Sequence, residues 1–205
     1  MTTTADRRPA IGFALGILVT LAQISWSWHI GPQPKGEHPP PSWSLWIANQ
    51  LGFWALAWLV ATLACTPLRW WTGATWPGRW RKRLGLVAFA LAAAHVGVFV
   101  IGEKSFDLWA IGVDVVKTPW LVFGVTAMTA LTVLAATTPT AVVRWLGGAR
   151  WQRVHRLVYA VAVLACLHYA LRDGADPQHW IGFSLAVAGL LWVRWSRRSG
   201  PSKAR

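Results

Sequence analysis

The stretch WQRVHRLVYAVAVLACLHYAL, residues 151–171, decides how the chain is read. From Val154 onward it holds one cation, Arg156, and no acid. Its apolar residues run right round a helix instead of forming one stripe, so such a helix has no face for water. Eighteen residues rise ~27 Å, close to the ~30 Å of a bilayer's hydrocarbon core. Five further blocks of this kind stand at about 10–30, 45–66, 84–102, 119–138 and 179–195. The chain is 55% hydrophobic and 13% charged, against ~25% charged in ordinary globular proteins. A soluble fold would lack the polar surface to cover its core. Disorder and collagen are excluded by the same composition, and a disulfide scaffold by two cysteines in 205 residues. The sequence predicts an all-α integral membrane protein, a bundle of six transmembrane helices.

A net charge of +13 in a soluble chain would suggest nucleic acid; here its distribution points to a membrane. Sixteen of the twenty Lys and Arg fall in the N-terminus, the 67–83 loop, the 139–156 region and the end of the last block with its tail. The other side holds only Lys35, Lys104, Lys117 and Arg172, together with six of the seven acids. The positive-inside rule therefore places both termini in the cytoplasm and leaves nucleic acid out as a partner. Fifteen of the seventeen tryptophans fit the same map. Trp26, Trp28, Trp43, Trp46, Trp109, Trp120 and Trp180 fall near the outer interface. Trp70, Trp71, Trp76, Trp80, Trp145, Trp151, Trp192 and Trp195 fall near the inner one, where indoles settle at headgroup depth. The first block is too long for a signal-peptide core and is expected to stay as a helix. Residues 1–205 are read as a single transmembrane domain ending in a basic cytoplasmic tail, 196–205, with Pro67, Pro119 and Pro139 at block edges. Cys65 and Cys166, inside different blocks, are read as packing residues, not as a disulfide.

Ionisable groups inside hydrocarbon are costly and mark function by default. This chain places three histidines there: His95 in LALAAAHVGVFV, then His155 and His168 on the fifth block. His29, His38 and His179 lie at or beyond the outer interface, where a solvated imidazole needs no explanation. Four readings compete for the buried three. Packing by hydrogen bonds across helices suits a single histidine better than three on two helices. Zinc wants closely grouped ligands, and there is no H-x-x-x-H pair. A proton relay wants acids in the bilayer, and none is present. Haem fits best, because two imidazoles on facing helices can hold the macrocycle between them.

The segments RKRLGLVAFALAAAH (81–95), KTPWLVFG (117–124) and ATTPTAVVRWLGGARWQRVHRLVYAVAVLACLHYAL (136–171) resemble a known family. It comprises the haem-binding membrane subunits of bacterial periplasmic protein-methionine-sulfoxide reductase systems, among the ferric-reductase-like transmembrane proteins. The similarity covers roughly residues 80–171 and is strongest at RW-x-x-x-H-R-L-V-Y. The resemblance implies that His95, His155 and His168 are the essential histidines. It also implies haem b in a bacterial inner membrane. Electrons would come from the quinone pool or a cytoplasmic flavin reductase, and their acceptor would be a periplasmic molybdopterin subunit that repairs oxidised methionine. FMN is a further implied cofactor. Ferric reductases and NADPH oxidases carry two histidines on each of two helices and continue into a nicotinamide domain. Here the third block has only His95, with Lys82 thirteen residues earlier. One bis-histidine site is complete, a second haem stays open, and the electron donor is expected from outside the chain.

Depth pairs the ligands. His168 lies ~22 Å, His95 ~16 Å and His155 only ~3 Å from the cytoplasmic ends of their helices. His95 and His168 are therefore expected to share one iron. His155 is left to ligate a second haem or to touch quinone or flavin. On an ideal helix His155 and His168 point ~140° apart, so a common corridor needs a distorted helix or offset cofactors. Arg81 and Lys82 with Arg83, and Arg144 with Arg150, are candidates for an FMN phosphate. Arg172, one turn beyond His168, is a candidate partner for a haem propionate or a snorkelling interfacial residue.

Overall fold

Each apolar block must satisfy its own backbone in hydrocarbon, and a helix does so within one segment. The computed structural model describes residues 7–30 and 42–199, with side chains over 10–26 and 42–197. Lys35, Glu37, His38, Lys203 and Arg205 lie outside the described residues, as do the side chains of Arg7, Arg8, Trp28, His29 and Arg198. No strand occurs among the described residues, which form α1 (Arg7–Ile30), α2 (Trp43–Thr72), α3 (Trp76–Val98), α4 (Leu108–Lys117), α5 (Pro119–Ala136), α6 (Thr140–Leu146), α7 (Gly148–His155), α8 (Leu157–Ala170) and α9 (Pro177–Ser199). A π turn, Phe99–Glu103, extends α3.

All six apolar blocks are helical. Three runs, Trp43–Thr72, Trp76–Glu103 and Pro119–Ala136, are long and apolar enough to cross a membrane. The other blocks form α1, α8 and α9. Over its described side chains α1 is apolar but shorter, and α8 has only 14 residues. Between the blocks the structure differs from the loops that the sequence suggested. Residues 67–83 are almost wholly helix, turning at 73–75, where Gly73 caps α2 with a φ of 67°. The segment 103–118 contains α4, capped by Asp107, whose carboxylate accepts from the Ala110 N–H at 2.9 Å. The basic 139–156 region folds into α6 and α7.

Pro67 is thus not at a helix edge but inside α2, where it is fully buried. Proline has no N–H, so the carbonyl four residues back, on Leu63, loses its helical donor. The guanidinium of Arg194 on α9 donates to that Leu63 carbonyl and, at 3.2 Å, to the Leu190 carbonyl. Bilayer helices tolerate proline when a neighbouring helix re-satisfies the freed group. Here that neighbour also explains a buried arginine.

The bundle is organised around α2, which packs along α3, while α5 packs along α8 and α9 closes against α2 and α8. Small residues such as Ala48, Ala88, Ala127 and Ala162 lie in the contacts and let backbones approach. Trp58, buried mid-helix, docks on α1, where a Cβ at Gly16 would stand 2.9 Å from its ring. Its indole N–H donates to Thr20 at 3.1 Å. At the other end of α2, Ser42 and Ser44 both donate to the Glu103 carboxylate, tying α2 to the end of the π turn. Leu15, Leu18, Val125, Leu185 and the belt residues Trp71, Trp109, Trp192 and Trp195 are exposed, as lipid contact requires.

Candidate functional site

His95 on α3 and His168 on α8 come together, although α3 and α8 barely touch along their backbones. Their ring centroids are 6.1 Å apart and the ring planes cross at 81°. Each imidazole is held from behind in the same way. His95 Nδ1 donates to the Ala48 carbonyl on α2 at 2.6 Å. His168 Nδ1 donates to the Trp120 carbonyl on α5 at 2.8 Å. A carbonyl can only accept, so both rings carry the proton on Nδ1 and leave the Nε2 lone pair free.

Four residues beyond each accepting carbonyl stands a glycine. A Cβ on Gly52 would lie 3.1 Å from His95 Nδ1, and one on Gly124 would lie 2.6 Å from His168 Nδ1. In a helix the carbonyl of residue i points along the axis toward residue i+4, so a side chain there would shut the imidazole out. The pairs Ala48/Gly52 and Trp120/Gly124 are two copies of one cradle. A metal–imidazole bond is ~2.0 Å, and the bonded nitrogen stands ~1.1 Å from its ring centroid. Two imidazoles that shared one metal atom would have centroids at most ~6.2 Å apart. The observed 6.1 Å fits that arrangement. Among the described residues no cluster of three or more His, Cys, Asp or Glu is available to a bare metal ion.

Arg172 stands beside this pair, its charge within electrostatic reach of both rings. It is half-buried, 5.7 Å from the Tyr169 ring centroid, and among the described residues no carboxylate is within ion-pair distance. A half-buried, unpaired guanidinium suits an anionic substituent of a ligand held by the histidines.

His155 lies apart, at the end of α7, and its surroundings differ. Its ring stacks on Trp151 at 4.1 Å and 32°, and Nε2 is 3.2 Å from the Thr137 hydroxyl oxygen. That hydroxyl donates to the Val133 carbonyl at 2.8 Å, so it accepts from His155 Nε2–H and leaves Nδ1 as the free nitrogen. The helix breaks at Arg156, between α7 and α8. A cavity of about 480 Å³ opens beside His155, lined by Arg81, Lys82, Phe89, Leu131, Thr138 and Trp151 among others. Lys82 donates to the Thr138 carbonyl at 3.2 Å. Arg83, Arg144 and Arg150 are exposed and line no part of this cavity, so the structure brings together two of the five basic residues singled out for a flavin phosphate. His179 is exposed near Asp176, at 3.8 Å, and Cys65 and Cys166 are buried and free.

Ala48, Gly52, Gly124 and Thr137 escaped the sequence reading, and Trp120 entered it only as an interface anchor. The only available signal was the four-residue spacing to a glycine, which says nothing of which helix faces it.

A family model described as "Ferric reductase like transmembrane component" matches residues 51–166. The chain is 41% identical over 159 residues to the protein-methionine-sulfoxide reductase heme-binding subunit MsrQ of Rhodospirillum rubrum, covering 75% of this chain and 76% of the relative. It is 45% identical over 195 residues to MsrQ of Deinococcus radiodurans, covering 94% and 90%. Magnetosome protein MamZ of Magnetospirillum gryphiswaldense is 31% identical over 159 residues, which span 78% of this chain and 24% of MamZ.

Proposed function

The chain belongs to the ferric-reductase-like transmembrane family, together with the MsrQ proteins, and from that premise we propose that it is the membrane haem subunit of a methionine-sulfoxide reductase system. The observation that carries this reading is the pair of Nδ1-anchored imidazoles with centroids 6.1 Å apart. In this reading His95 and His168 hold one haem b through Nε2, and Arg172 receives a propionate. Bound there, haem supplies a one-electron carrier within the bilayer. The two carbonyls fix each ring's tautomer and orientation and raise its basicity, favouring ligation to the oxidised metal. The surrounding apolar helices keep water from the site.

The cavity at His155 receives the electrons. Ligation of a second haem through His155 Nε2 requires the Thr137 hydrogen bond to break. A quinol or flavin in the cavity meets the free Nδ1 without that rearrangement, and this favours donor contact for His155. Arg81 and Lys82 line the same space and would meet a flavin's phosphate. The reading includes six spans with both termini cytoplasmic in a bacterial inner membrane. The quinone pool is the donor, and a periplasmic molybdopterin reductase is the acceptor.

The test is an optical spectrum of the purified full chain reconstituted with haem. Dithionite-sensitive b-type bands lost in His95→Ala support the relay. A protein that binds no haem, or the same haem without His95, overturns it. The match to the ferric reductase description favours a second reading, reduction of a ferric chelate; turnover with chelated iron and none with the periplasmic reductase would select it. Reporter fusions after Lys104 and Arg172 should read periplasmic, and those after Arg79 and Arg150 cytoplasmic.

A further inference from the structure

Thr137 caps the end of α5 and is engaged on both of its oxygens. Its hydroxyl donates to the Val133 carbonyl at 2.8 Å, and the same oxygen stands 3.2 Å from His155 Nε2. Its carbonyl, past the last hydrogen bonds of the helix, accepts the Trp151 indole N–H at 2.9 Å. Trp151 and His155 both sit on α7 and are stacked, with ring centroids 4.1 Å apart and planes 32° from parallel. The three contacts close a loop of three side chains. Thr126, Thr129 and Thr132, on the same α5, also bond the carbonyl four residues back, but on the exposed side of the helix. Thr137 makes that bond and turns its remaining lone pair to an imidazole. Stacking on Trp151 holds the plane of the His155 ring, and the hydroxyl selects its tautomer.

We propose that Thr137 is a positioning residue, which presents His155 Nδ1 as a hydrogen-bond acceptor to a hydroquinone in the adjoining cavity. The inference rests on the reading of that cavity as the place where the quinone pool delivers electrons. A hydroquinone has O–H groups to donate, whereas its oxidised form can only accept. A fixed acceptor therefore favours the reduced partner, the one with electrons to give. Arg81 and Lys82 line the same cavity, but as pure donors they serve either form and cannot make that distinction. Leu59, Leu86, Phe89 and Leu131 make much of the remaining wall apolar, which suits a quinone ring and its isoprenoid chain. Without the Thr137 hydroxyl, occupying Nδ1 would leave the Nε2–H with no acceptor. The ring could then carry its proton on either nitrogen, and the preference for the reduced form would fade.

The test compares two ligands of similar shape on the full chain reconstituted with haem, kept anaerobic and reduced so that neither ligand reacts. Duroquinol carries O–H groups, and its dimethyl ether carries none. By calorimetric titration, Thr137→Val should bind duroquinol at least about fivefold more weakly, as a stranded polar group predicts. The same variant should bind the ether no more weakly than the parent does. Thr137→Ser keeps the hydroxyl and should recover duroquinol binding to within about twofold of the parent. With the oxidised protein, Thr137→Val should slow haem reduction by duroquinol at least about fivefold and leave reduction by dithionite unchanged. Thr137→Ala, which also lacks the hydroxyl, carries the comparison should the valine variant not fold. A threonine that only braces α7 would shift both ligands together, and that result overturns the proposal. So does a variant without the hydroxyl that binds duroquinol as the parent does, while the donor reading stands. A parent that binds no duroquinol overturns the donor reading and the proposal together.

Discussion

Gly124→Ala tests whether α5 is built around an imidazole. The added methyl would stand 2.6 Å from His168 Nδ1 and 2.7 Å from Cε1, where ordinary contact begins at 3.4 Å. The ring must therefore retreat by about 0.8 Å. A metal–nitrogen bond of ~2.0 Å does not stretch that far, and the 2.8 Å bond to the Trp120 carbonyl would pass beyond hydrogen-bonding distance. At Gly52 the same methyl would stand 3.1 Å from His95 Nδ1, a shift of about 0.3 Å. The prediction is graded. Loss of an outer partner of a metal-bound histidine costs ~10–100-fold in affinity, so Gly124→Ala should lose low-spin haem by at least that factor. Gly52→Ala should stay within about threefold of the parent. The assay is haem per chain together with the reduced-minus-oxidised spectrum. Without haem, the His168 ring is free to swing aside, so both haem-free variants should unfold close to the parent. Equal haem loss at the two glycines, or full low-spin haem in Gly124→Ala, would refute the cradle.

Three further outcomes are expected. His95→Ala and His168→Ala should remove the same low-spin signal, with the double variant losing little more, because each breaks one shared iron site; His155→Ala should keep that signal by spectrum while slowing reduction from the donor side. Arg172→Gln should weaken haem binding roughly tenfold or more by titration, as loss of a charge-assisted bond predicts, and Arg172→Lys should recover part of it. Arg194→Met strands the Leu63 carbonyl at a cost of ~1–3 kcal/mol, measured by reversible unfolding in lipid-free uncharged detergent. In a Pro67→Ala background alanine supplies the missing N–H, so the same change should cost at least ~1 kcal/mol less.

The helical blocks and the three histidines were legible because both depend on residue type: long apolar runs predict helices, and an imidazole in hydrocarbon stands out at once. Depth arithmetic also paired His95 with His168, since 1.5 Å of rise per residue is all that comparison needs. The connections were less legible. Residues 67–83 read as a loop because their five cations and Pro67 look like a helix end. In the fold, the cations ride on helices that run past the apolar blocks, and the proline's cost is met by Arg194, 127 positions later in the sequence. His155 was expected to differ from its partners by depth alone. The structure adds a reversed tautomer, imposed by Thr137, a residue that carries no metal or redox signal.

The polar contacts that orient the buried groups share one feature. His95, His168 and Arg194 donate to main-chain carbonyls of neighbouring helices, on Ala48, Trp120 and Leu63 respectively, and Lys82 donates to the Thr138 carbonyl in the turn between α5 and α6. A carboxylate would orient an imidazole as firmly. It would also bring a negative charge into hydrocarbon, at several kcal/mol of desolvation, and would push electron density onto any bound metal. A carbonyl fixes the same tautomer with no net charge. The described acids between α3 and α5 are used instead for capping and pairing, as at Asp107, Glu103 and the Lys104–Asp114 ion pair. Every residue owns a carbonyl, so this arrangement leaves almost no mark on composition. The mark it does leave is an omission: the missing Cβ at Gly52 and Gly124, and the missing N–H at Pro67. In this bundle the residues that shape the site are those that lack an atom, while the residues that act there are the conspicuous ones.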